Sequence, residues 1–153
     1  MHAFKDAAGR EWPVWIDIAA LRRVRAEASA DLVEAVTGDL WLRLLADPVL
    51  LADVLWPIVR TSAEAQGVAR EEFDAALVGQ AIEEADGALH GALLDFFPPR
   101  QRAVAAAALL AAIETAQAEL EKARASLASL APPSMSGGSS PSAPESPDLT
   151  PPP

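Results

Sequence analysis

The sequence predicts a mainly α protein: a single helical domain of about five or six helices over residues 1–130, with a short β-hairpin at its start (1–18), a long helix at its end (100–130) and a disordered Pro/Ser-rich tail behind it (131–153). Three observations predict this. Apolar residues alternate with polar ones in the opening segment only, which is the period of a strand. From Asp17 onward they recur every three or four residues between capping and breaking residues, which is the period of a helix. Beyond Ala131 large apolar side chains nearly vanish and Pro, Ser and Gly crowd in, so the segment has too little to bury to offset its ordering entropy.

The hairpin comes first. Asp6-Ala7-Ala8-Gly9 is a turn, because Asp bonds its own following backbone and Gly takes positive φ. Trp12, Val14, Ile16 and Ile18 then alternate with Glu11, Pro13, Trp15 and Asp17. Pro13 has no N–H to give a ladder, so one strand edge near it is expected to be free. Two strands alone are marginal in water and must pack on helices or on a partner. Trp15 lies opposite the apolar stripe, where it either covers a neighbouring helix or presents a contact surface.

Helices follow in order. Asp17 caps one carrying Ile18, Leu21, Val24 and Ala28. Asp31 opens a short one through Val36 that stops near Thr37-Gly38. Leu40, Trp41, Leu44 and Leu45 form another brief apolar face. Asp47-Pro48 is a strong start signal, a cap followed by proline at the first helical position. The helix it opens is apolar on nearly every side and is expected to be the central element, kinked or broken at Pro57 and closed by Gly67. Glu71 and Glu72 favour a further start with Phe73, Ala76 and Leu77 inward. After Gly79 comes a helix with Ile82, Ala85, Leu89, Leu93 and Phe96 in line, ended by Phe97-Pro98-Pro99.

The last helix has the most regular pattern. Ala106, Leu109, Ile113, Ala116, Leu120, Ala123, Leu127 and Leu130 alternate by threes and fours, with Ile113, Leu120 and Leu127 seven apart and alanines at the companion positions. Such a seam suits close antiparallel packing of two helices, within the chain or between chains. Trp15, Ile113, Leu120 and Leu127 are therefore the candidate protein-interaction residues.

Charge and composition exclude several classes. Twelve basic residues against 22 acidic give a net charge of −10. That surface repels phosphate backbones and anionic lipid, so neither nucleic acid nor membrane is the expected partner. Arg22, Arg23 and Arg25 form the one basic knot, either a solvated helix face or an anion site. No uncharged run approaches the ~20 residues of a bilayer span, and the first residues lack a signal peptide's apolar core. The chain has no cysteine, which fits a reducing cytoplasm and removes thiol chemistry.

Catalytic constellations are thin. His2 stands at the terminus, and His90 has no second histidine three or four residues away to complete a helical metal pair. Glu83, Glu84 and Asp86 read as a solvated face. Asp53 is the one charge in an apolar run, with Arg60 within reach as a partner. Gly87 and Gly91 are spaced for close helix contact. No Gly-rich phosphate loop or nucleophile elbow is present. The expectation is no catalytic residue, no cofactor and no metal.

Phe4-x-x-x-x-Gly9-Arg10-x-Trp12-x-Val14-x-Ile16 and Leu21-x-x-Val24-Arg25, with Asp47-Pro48-Val49-Leu50-Leu51-x-Asp53-Val54-Leu55 and Asp95-Phe96-Phe97-Pro98, resemble small proteins encoded in bacterial prophage tail modules. In layout the chain is similar to tail assembly chaperones, with a strand pair, a helical body and a variable C-terminal extension. The resemblance covers about residues 4–100 and rests on structural motifs. It implies a non-enzymatic binding protein that coats a tape-measure-like partner in the cytoplasm, and it transfers no binding residue. The alternative is a structural or adaptor protein that forms a homo-oligomer through the last helix.

Overall fold

A computed structural model describes residues 1–37 and 39–130. The hairpin pairs β1 (His2–Lys5) with β2 (Glu11–Val14) in antiparallel register, Phe4 opposite Trp12 and Ala3 opposite Pro13. The paired strands are shorter than the hairpin expected over residues 1–18, since pairing runs only from His2–Val14 to Lys5–Glu11. Asp6 builds the turn. Its Oδ1 accepts from the N–H groups of Ala8 and Arg10 (2.9 Å each), and Gly9 takes φ of 80°. The Lys5 N–H turns away from β2 toward Glu84 (3.3 Å) and the Glu11 carbonyl away toward Gln66 (3.4 Å). By strand alternation the missing N–H of Pro13 falls on that outward side, as expected of a proline in a ladder.

Six α-helices and one 3-10 helix follow among the described residues. Asp17 caps α1 (Ile18–Glu27) through the Ala20 N–H, and Asp31 caps the 3-10 helix Leu32–Val36 through that of Val33. Ile18 is exposed, at the edge of the stripe that Trp12, Val14 and Ile16 bury. After α2 (Asp39–Ala46), Asp47 caps α3 (Pro48–Gln66) with Pro48 in its first turn. The helix passes through Pro57 without a break, and the buried Pro57 carbonyl accepts from Arg23 Nε at 3.1 Å. Gly67 ends α3 at φ of 68°, the left-handed conformation that frees the chain to reverse. In α4 (Arg70–Ala76) Glu72 reaches back to the Ala69 N–H.

The core gathers on α3, whose Leu51, Val54, Leu55 and Val59 are buried. The hairpin lies over it and against α5 (Gln80–Phe96), with Phe73 of α4 in edge contact with Trp12 (centroids 5.3 Å apart). Helix α6 (Pro99–Leu130) starts one residue before its expected position and packs its first half on α2 and the 3-10 helix. Asp53 is half-buried and bonds Arg70 at 2.6 Å, while Arg60 bonds Glu27, so the pair expected from spacing does not form. The basic knot is divided: Arg23 serves α3, and Arg25 bonds Asp31 at 2.7 Å. The expected tail, residues 131–153, lies outside the described residues.

Candidate functional site

Two exposed apolar surfaces stand out, and each contains residues singled out by the sequence. The first is a hollow of about 220 Å³ where the end of β2 meets the C-terminal turn of α5. Trp15 is 64% exposed at its edge, while Val14 and Ile16 on either side point into the core. The floor is Ala92 and Phe96, and His2 closes one wall by bonding Asp95 at 2.8 Å. Gly91 makes that wall possible. The His2 ring occupies the space a Cβ there would need, so the close approach allowed by Gly91 serves a strand side chain and not a second helix.

Asp95 is the acid nearest this hollow. The hydrogen bond from His2, opposed by slight burial and aided by the charges of His2, Arg102 and the N-terminus, holds its carboxyl below the usual aspartate value. A general acid working at neutral pH needs the opposite shift.

The second surface is α6. Its buried residues are Ala105, Leu109 and Ala112, all in the first half, and Ile113 and Ala116 are half-buried at the margin. From Gln117 to Leu130 every residue is exposed. Leu120 (56%) and Leu127 (69%) keep the same helix face as Leu109 but run past the body that covers it. Beside them α2 and α6 leave a groove of about 440 Å³, lined by Leu42, Leu45 and Ala46 on one side and Thr115, Ala116, Glu119 and Leu120 on the other. The hollow and the groove share no lining residue, so Trp15 and the leucines of α6 belong to separate surfaces.

No family model, curated protein or solved structure matches this chain.

Two features escaped the sequence. His90 is neither a surface residue nor a satisfied boundary residue. It is buried with its ring edge-on to Trp41 (centroids 4.8 Å apart). Its Nε2 lies 3.1 Å from Asp86 Oδ1 but out of line for a hydrogen bond, so both atoms and the Trp41 indole N–H are buried without partners among the described residues. Asp86 thus leaves the solvated face that its neighbours Glu83 and Glu84 suggested. A lone helical histidine carries no signal of which helix will cover it.

The second is the hydropathy of α6 as a whole. Charges interrupt every run, yet the helix contains an 18-residue window of mean hydropathy 1.4, long and apolar enough to cross a membrane, with 17% of the window buried. Counting uncharged runs misses this because alanines raise the mean between isolated carboxylates. Among the described residues no three His, Asp or Glu side chains converge as metal ligands would.

Proposed function

We propose that this protein works by binding another protein, as a phage-tail-type assembly chaperone on a tape-measure-like partner in the cytoplasm. One observation carries the reading: the apolar seam of α6 runs off the body, leaving Leu120, Leu127 and Leu130 exposed on one face. Contiguous uncovered apolar surface on a folded domain marks an interaction site. Trp15 over its hollow supplies a second, of the aromatic kind enriched at interfaces. The carboxyl of Asp95, held below its usual value, is poorly suited to act as a general acid at that hollow.

A protein partner suits α6 better than a bilayer does. Glu114 and Glu119 interrupt its apolar stretch, and ionisable side chains within a bilayer are costly. The resemblance to tail-module proteins supplies the partner class.

Gene order and co-purification test the proposal together. A tail-tube gene is expected upstream and a gene for a very long coiled coil downstream. The latter's product should be retained by the wild type and lost with Trp15→Ala or Leu127→Glu. Metabolic neighbours, or retention unaffected by either substitution, would overturn it. A second reading, a self-associating structural or adaptor protein, is favoured by the alternation of leucine and alanine along the exposed seam.

A further inference from the structure

We propose that two copies of this chain pair through the second halves of α6, antiparallel, with the tip of each helix seated in the α2–α6 groove of the other. The inference deepens the self-association reading and rests on it, adding an orientation and a register that the reading lacks.

Orientation follows from where the body sits. It covers the face of α6 that carries Ala105, Leu109 and Ala112, and Leu120 and Leu127 continue that same face beyond it. A parallel second helix on this face would meet the body as soon as the pairing ran back past Ala116. It would also bring its own body to the same level. An antiparallel one sets the two bodies at opposite ends, and only the uncovered halves overlap.

Register follows from side-chain size. Among alignments that keep to the uncovered half, the one with the longest overlap sets a large residue against a small one in every inner layer. Leu120 meets Ala123 of the second copy, Leu127 meets Ala116, and Leu130 meets Ile113 at the margin of the body. Leucine against alanine lets helices approach closely with no void, the interdigitation that specifies a packed interface. The overlap spans about 26 Å at ~1.5 Å per residue. In this register Leu127 and Leu130 of the second copy arrive beside Leu42 and Leu45, filling the groove of about 440 Å³.

The flanking residues are compatible. Glu119 lies beside Ser126 of the second copy and Gln117 beside Arg124, so no like charges meet across the seam. A parallel pairing would gain Glu119 against Arg124, an exposed contact of little worth beside the collision of two bodies.

The absence of cysteine makes the test direct. Full-length chains carrying Ala116→Cys and Leu127→Cys, mixed and oxidised, should form a disulfide-linked dimer, while either alone should not, since equivalent positions stand about 16 Å apart along the axis. Leu127→Glu should raise the dimer dissociation constant more than ~100-fold, because the two-fold axis repeats the layer. If each single variant cross-links with itself and the mixture adds nothing, the pairing is parallel and the inference falls while self-association stands. A dimer in sedimentation with no cross-link in any combination places the contact elsewhere and likewise overturns it. A wild type that stays monomeric at high concentration, or floats with phosphatidylcholine vesicles without dimerising, overturns inference and reading together.

Discussion

The indole N–H of Trp12 donates to the Asp6 carboxylate at 3.0 Å inside the core, so the carboxyl that shapes the hairpin turn also anchors the tryptophan that the hairpin buries. Arg10 Nε closes the other side of Oδ2 at 2.8 Å. Removing the carboxyl leaves a buried indole donor and two turn N–H groups without acceptors. Asp6→Ala should therefore cost about 3–5 kcal/mol in urea unfolding, the range for breaking a buried charged pair. Asp6→Asn, which keeps one acceptor, should lose less.

The same carboxyl sets a pH dependence. Burial pushes Asp6 up, but the hydrogen bonds from the Trp12 indole, the Arg10 backbone and the Arg10 guanidinium, together with that guanidinium's charge, hold it below the ordinary value of 3.8. A folded-state value lowered in this way gives stability that is present above the unfolded value and lost as pH falls through the folded one. Asp31, lowered mainly by its bond from Arg25, acts in the same direction. The stability difference between wild type and Asp6→Asn should be constant above about pH 5 and shrink below about pH 4. A difference that grows on acidification would contradict the assignment.

Substitutions along α6 should separate two behaviours. Leu109 is 9% exposed against the body, so Leu109→Glu buries an unpaired charge and should unfold the protein by circular dichroism. Leu120→Glu and Leu127→Glu lie beyond the body and should keep native helicity while light scattering reports a monomer.

His90 gives a test of an unsatisfied site. Its Nε2 makes no hydrogen bond among the described residues, so His90→Phe, which keeps an aromatic edge on Trp41, should change stability by less than about 1 kcal/mol. A loss above about 2 kcal/mol would mean that the ring nitrogen is bonded in solution.

The two glycines of α5 should differ when changed to alanine. Nothing lies within 4 Å of a Cβ at Gly87, so Gly87→Ala should gain up to about 1 kcal/mol of helix propensity. Gly91→Ala must displace the His2 ring, which forfeits the bond to Asp95 and opens the hollow beside Trp15. A change in the His2 ring chemical shifts at fixed pH would report it.

Local chemistry was legible in the sequence wherever a residue acts on its own backbone. Asp17, Asp31 and Asp47 cap the helices their positions announced, Asp6 and Gly9 make the turn, and Gly67 ends α3, because each of these interactions is completed within a few residues. The seam of α6 was legible for the same reason: periodicity names a face without knowing what covers it. What covers each face was decided by the tertiary structure alone. The body ends near Ala116, so one continuous seam is core at Leu109 and open surface at Leu127. Asp53 bonds Arg70 and not Arg60, because the reversal at Gly67 brings Arg70 back beside it. His90 is buried because α2 brings Trp41 over it, a contact spanning 49 residues of chain that no local spacing encodes.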